Sequence, residues 1–324
     1  EPVELTELEI LLTNTGKHIY NAPAVAEEAR WTLDLVELLT DAPLLEKPAL
    51  TLRACPTTPL VLAAEVAQVI IMGARRGAIL AIGSASAAGT TSPVTMAGSM
   101  VLQNTEFLFG LVLAQLARAG APVDYQVSAT VADLRTGMIS YGAVEMTLLT
   151  AGLKAMAERY ELPFSTNQSA NSPAIDVGNG VEKMLHFAHK IAIGLDFLRN
   201  AGDLDRAGTM SCEQIVIDHE LTQMLQRFWR GIQVDRDTLA VDVIRQVGPG
   251  GTFLSHRHTR KHSRTGEHYV GPLLYRRDGE PTLLEWAHAK VEEILRTHTY
   301  SLPATKIEQL RRYAAEERQQ ARDV

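Results

Sequence analysis

Cysteine is scarce: the 324-residue chain has two, Cys55 and Cys212, far apart and in no CxxC pair. That excludes a disulfide framework and a cysteine-built zinc site, and it fits a reducing, cytoplasmic setting. Aromatic residues make up only 6%, and long uncharged apolar runs are missing. The longest candidate, 93–117, is interrupted by Gln103, Asn104, Glu106 and Gln115, so no membrane-spanning helix is expected. Positive charge is short as well. A formal net charge of -7 argues against general nucleic-acid binding, and the basic clusters at 256–264 and 311–312 read as solvated loop and tail. Neither GxGxxG nor GxxxxGK follows any candidate strand, which removes the usual reasons for a nucleotide-binding sheet.

What the chain does have is a 46% hydrophobic fraction, enough for a large core, and a regular alternation of patterns. Candidate strands at 7–12, 49–55, 78–83, 121–127 and 162–168 each precede a helical pattern, and a weaker one at 207–211 leads into the helix that begins near Cys212. Strands alternating with helices imply right-handed βαβ units and a parallel sheet. Polar, small residues gather after every strand, at 13–17, 56–59, 84–93, 128–137, 166–173 and 211–214. One rim collecting polar loops from successive strands is the active face of a (β/α)8 TIM-type barrel, of which about six units are present. The reading places a barrel body at 1–230 and a helical and loop extension packed on it at 231–324, with helices at 282–296 and 303–321.

The loop after 78–83 contains GTTSPVTMAG, 89–98. Ser92 followed by Pro93 predicts a helix start there, and Thr90 and Ser92 sit where the carboxyl ends of the strands present ligand-binding groups; plain capping is the alternative for Ser92.

Four runs carry a family resemblance: AGTTSPVTMAGSMVLQNTEFLFGLVLAQLARAGAPVDY from Ala88, DLRTGMISYGAVEM from Asp133, AMAERYELP from Ala155, and VIRQVGPGGTFLSHRHT from Val243. In order and spacing they resemble the trimethylamine methyltransferase (MttB) superfamily, over about residues 1–295. The resemblance implies a barrel enzyme that moves a methyl group from a methylated amine to the cobalt of a separate corrinoid protein. It also implies sequence ahead of Glu1 that supplies the missing barrel strands. Only the twenty standard residues occur, which matches the non-pyrrolysine branch, whose members demethylate quaternary amines such as glycine betaine. The implied partners are thus a cognate corrinoid protein and a small quaternary amine. A homo-oligomer is expected, with no nucleic acid, membrane, tightly bound cofactor or metal.

A trimethylammonium group is recognised by aromatic faces and carboxylates, and a betaine carboxylate by Arg, Lys or helix-terminal N–H groups. The rim loops offer Tyr125, Asp133, Arg135, Tyr141, Glu145, Asn167 and Gln168 as substrate contacts, beside Thr90 and Ser92. For each a structural role stands as the alternative: Arg135 paired with Asp133, the tyrosines packed, Glu145 favouring its helix N-terminus. His258, in the HT pair of the resemblance, is expected to fix the C-terminal segment or to face the corrinoid partner. The histidines at 256, 258, 262 and 268 admit a second reading, a metal-dependent barrel lyase or hydrolase. A third is a non-catalytic betaine-binding relative.

Overall fold

The computed structural model describes residues 3–167, 169–274 and 277–323. Helix α1 (Val3–Asn14) leads into β1 (Ile19–Asn21), α2 (Ala26–Thr40), β2 (Leu50–Ala54), α3 (Ala64–Arg76) and β3 (Ile79–Ser84). Then come β4 (Ala87–Ala88), α4 (Met96–Ala117), β5 (Val123–Val127), β6 (Thr130–Ala132), β7 (Ile139–Ser140) and α5 (Val144–Arg159). They are followed by β8 (Phe164–Asn167), α6 (Val177–Ala192), β9 (Phe197–Arg199), β10 (Asp203–Leu204), β11 (Thr209–Met210) and α7 (Cys212–Trp229). Helices α8 (Arg236–Leu239), α9 (Val241–Val247), α10 (Arg257–His262), α11 (Leu283–Thr297) and α12 (Ala304–Asp323) complete the described chain.

Six strands form one sheet in the order β1-β2-β3-β5-β8-β9, every pair parallel. The order never reverses. Right-handed crossovers between successive neighbours put all connecting helices on one face, so the other face is left for the sheet to close over by curling. The result is a curled, TIM-like half-barrel rather than a doubly wound sheet, in which the strand order reverses.

Period-two alternation then sorts the side chains. Leu52, Leu80, Ile82, Tyr125 and Phe164 lie toward the helices and enter the main core with Leu33, Leu35, Ile70 and Phe107. The register aligns Arg53, Ala81 and Asp124 across three strands, then Gly83, Gln126 and Ser165, then Asn167 and Arg199, on the opposite, concave face. Gly83 is required by close approach: a Cβ there would lie 1.6 Å from the Gln126 carbonyl oxygen.

Four expectations about elements are corrected. Residues 7–12 are helical, because Leu5, Leu8 and Leu12 recur at helical spacing and are all buried; the first strand is instead the short Ile19–Asn21. The helix after β3 starts at Met96 with Thr95 before it, not at Pro93. Backbone bonds from Ser92 N to Ala87 O (3.1 Å) and Gly89 N to Ser92 O (3.0 Å) close a turn ahead of it. The helical pattern after 162–168, read over about 176–198, stops at Ala192, where Gly194 (φ +67°) turns the chain. The sixth parallel strand is therefore β9, and residues 209–210 pair antiparallel with β10 in a small hairpin.

Of the described helices, α4 is long and apolar enough to cross a membrane. Here its buried Glu106 accepts hydrogen bonds from Thr58 Oγ1 (3.0 Å) and Leu60 N (2.8 Å), and Phe107 joins the main core. Downstream, α11 packs on α7, while α12 packs on α1 and α2. Glu317 of α12 there receives both the Arg30 guanidinium and, at 2.8 Å, the Trp31 indole.

Candidate functional site

The concave face at the carboxyl ends of the strands carries a polar group built from four strands. Tyr20 comes from β1, Arg53 from β2, Gln126 from β5 and Arg199 from β9. Guanidinium groups only donate, so the Gln126 amide turns its oxygen to them. That oxygen accepts from Arg53 Nε at 2.8 Å and from both terminal nitrogens of Arg199 at 3.0 Å, while the amide nitrogen donates to Tyr20 Oη at 2.9 Å. Arg199 Nη1 also donates to Tyr20 Oη at 3.2 Å, and its guanidinium carbon lies 5.6 Å from the centre of that ring.

Arg199 is only 8% exposed and its Nε has no hydrogen-bond partner. Burial pulls its guanidinium below the ordinary value, and the neighbouring Arg53 pulls the same way. Among the described residues neither arginine has a carboxylate at ion-pair distance. Two guanidiniums sharing one amide oxygen, largely removed from water, form a preorganised receptor for an anionic group.

Deeper on the same face, Asp124 accepts a hydrogen bond from the Ser165 hydroxyl. Burial raises the Asp124 carboxyl from 3.8 to about 6, against the opposing pull of Ser165 and Arg199. A carboxyl with a higher pKa folded than unfolded holds its proton more tightly in the native state. Its stabilisation is full below the unfolded value and is lost as pH rises through the folded one. Stability measured by denaturant titration is thus expected to fall between about pH 4 and pH 6 relative to Asp124→Asn, which mimics the protonated form. Parallel profiles for the two proteins would count against that environment for Asp124.

The residues predicted from the sequence divide into those at this face and those away from it. Asn167 ends β8 on the concave side, 4% exposed, with its side-chain oxygen unpartnered and its backbone oxygen held by Lys190. Tyr141 stands within electrostatic reach of Arg53, Cys55 and Asp203; burial raises its phenol while Arg53 lowers it. Its backbone N–H donates to Asn171 at 2.8 Å.

Tyr125 lies on the helix side of the sheet, fully buried, its ring 3.9 Å from Phe107 and its hydroxyl donating to Asn104 at 3.0 Å. Asp133 and Arg135 pair with each other at 3.2 Å in the exposed turn between β6 and β7, the Arg135 side chain 90% exposed. Thr90 is exposed with its hydroxyl toward the Ala87 carbonyl (3.4 Å), and Ser92 is buried against Ser99 at 2.8 Å. Glu145 is exposed in the first turn of α5. Gln168 lies outside the described residues. His258 belongs to α10, its ring 4.2 Å from that of His262.

Sequence reasoning missed Tyr20, Arg53, Gln126 and Arg199. The available signal was charge inside apolar strands: LTLRA and FLR each carry an arginine where alternation points it away from the helices. Among the described residues no Ser–His or Cys–His hydrogen-bonded pair stands on this face.

The chain matches the model of the trimethylamine methyltransferase (MTTB) family over residues 3–321. It is 34% identical over 299 residues to the trimethylamine methyltransferase MttB of Methanosarcina barkeri, covering 89% of this chain and 60% of that protein. Identity is also 34% over 255 residues to the glycine betaine methyltransferase of Desulfitobacterium hafniense (strain Y51), covering 78% and 52%. With the trimethylamine methyltransferase MttB of Desulfitobacterium hafniense (strain DSM 10664 / DCB-2) it is 33% over 260 residues, covering 79% and 52%. The chain therefore spans 52–60% of the length of these relatives.

Proposed function

Since this chain belongs to the trimethylamine methyltransferase (MTTB) family, we propose that it serves methyl transfer from a quaternary amine bearing a carboxylate, of the glycine betaine type, to a separate corrinoid protein. The six parallel units are read as part of a (β/α)8 barrel whose concave face is the substrate chamber. The observation that carries the substrate class is the Arg53–Gln126–Arg199 receptor, a half-buried and a buried guanidinium without a carboxylate partner among the described residues.

The chemistry separates two kinds of donor. A tertiary amine losing a methyl group to a nucleophile must leave as an amide anion, whereas a quaternary ammonium leaves as a neutral amine. A corrinoid carried by the partner would supply the electron pair that takes the methyl, with the C–N pair staying on nitrogen. No general base is then required of this chain.

Its residues orient and enclose. Arg53 and Arg199 hold the carboxylate, and Gln126 sets the spacing between them. Tyr20, whose ring lies 6.4 Å from that of Phe197, and Tyr141 offer aromatic faces to the ammonium end, and the unpartnered Asn167 side-chain oxygen belongs to the same concave face. Such placement turns the methylated end toward the rim, where a partner can dock.

A methyl-transfer assay with a reduced corrinoid protein tests the reading: glycine betaine is expected to be demethylated and trimethylamine to give no turnover. Robust trimethylamine turnover, or none with any carboxylated quaternary amine, would overturn it. The metal-dependent alternative has one observation in its favour, a histidine and carboxylate cluster, but α8 and α10 build it, not the strand ends.

A further inference from the structure

We infer that Asp237, His258 and His262 form a binding site for one first-row divalent metal ion, best probed with zinc. Their ligand atoms all lie within 4.8 Å of one another. The two histidines come from one helix, α10, four residues apart, so their rings rise from the same face one turn apart. Asp237 is delivered by a different element, α8, whose start is fixed by the capping box between Asp235 and Thr238.

The decisive detail lies between His262 and Asp237. Nε2 of His262 is 3.2 Å from Oδ2 of Asp237, yet this buried nitrogen makes no well-aligned hydrogen bond. Two ligands on one tetrahedral zinc, with bonds of about 2.0–2.1 Å, stand roughly 3.3 Å apart without pointing at each other. His258 Nε2 lies 3.2 Å from the Asp237 backbone oxygen, which holds its ring over the same spot.

A cation already visits this carboxylate, for the Lys261 ammonium sits 2.5 Å from Asp237 Oδ2. The Lys261 side chain is 60% exposed, so it can swing into water when an ion displaces it. Two imidazoles and one carboxylate form a borderline donor set that suits zinc and its first-row neighbours and not magnesium or calcium. Cavities of about 370 and 440 Å3 flank the cluster and share Ile232, Gln233, Thr238, His262 and Glu267, leaving room for water as a fourth ligand. The ion would clip α8 to α10 across the intervening segment, which contains α9.

The test uses the purified protein, stripped with a chelator, dialysed against zinc and analysed by atomic spectroscopy. One equivalent is expected to remain, thermal stability is expected to rise on loading, and cobalt(II) substitution is expected to give the intense visible bands of tetrahedral coordination. His262→Ala and Asp237→Asn should each weaken zinc affinity by more than about tenfold, while Lys261→Ala should tighten it by removing the competing ammonium. Metal-free melting temperatures of the variants check that each is folded. Absence of stoichiometric zinc in the parent, or binding that both ligand variants leave unchanged, overturns the assignment.

Discussion

Arg199→Met is expected to lower specificity for glycine betaine by about one to two decades, with far less effect on an uncharged analogue such as choline, and without lowering the melting temperature. The guanidinium is 8% exposed, shares the Gln126 oxygen with Arg53 and has no carboxylate at ion-pair distance among the described residues. Losing a charge-assisted contact to the substrate carboxylate costs about 1.5–3 kcal/mol. Methionine fills much of the same length, and removing a buried cation beside a second one relieves repulsion that Arg53 now exerts. A purely structural arginine predicts the reverse: a lower melting temperature and equal losses on both substrates. Those two readouts, taken together on one variant, decide the role. Asp133 and Arg135 satisfy each other in an exposed turn, so Arg135→Ala serves as the comparison and should leave discrimination between the two substrates intact.

Asp218→Ala is expected to destabilise the fold by about 3–5 kcal/mol, read as a shift in the denaturant midpoint. The Lys183 side chain is fully buried and that of Asp218 is 1% exposed, and they pair at 3.0 Å between α6 and α7. The same carboxylate accepts from the Gly202 backbone at 2.8 Å and from Gln214 at 2.7 Å. Removing it strands a buried ammonium and two further donors at once. Replacing both partners with apolar residues, Lys183→Met with Asp218→Leu, should recover much of the loss, because no buried charge then remains. A single-variant cost below about 1 kcal/mol would show that water reaches the pair. The consequence for function is indirect: this pair ties together α6 and α7, the helices that precede and follow β9, the strand that presents Arg199.

The two halves of the problem were unequally legible. Long, strongly patterned segments were readable: α2, α5, α7 and α11 fall close to where hydrophobic spacing puts them, and β2, β3, β5 and β8 sit at their expected places. Short elements were not. β1 and β9 have three residues each, too few for a period to register, and their pairing is decided by neighbouring strands. The 7–12 run reads as a strand, and only the packing of Leu5, Leu8 and Leu12 shows it to be helical.

The site follows the same division. By itself the sequence determined the class of fold, the rim on which loops gather and, through the runs from Ala88, Asp133, Ala155 and Val243, the family, because local period and ordered motifs survive without knowledge of contacts. It also named Asn167 and Tyr141, the first of which ends β8 on the concave face and the second of which stands within electrostatic reach of Arg53. Which residues share the concave face was settled by tertiary structure alone. Tyr20 and Arg199 are 179 positions apart and meet at 3.2 Å, and Tyr125 points into the core although it adjoins Gln126, which points into the concave face. A period of two fixes only that neighbours point oppositely. Which set faces the helices depends on where the helices pack.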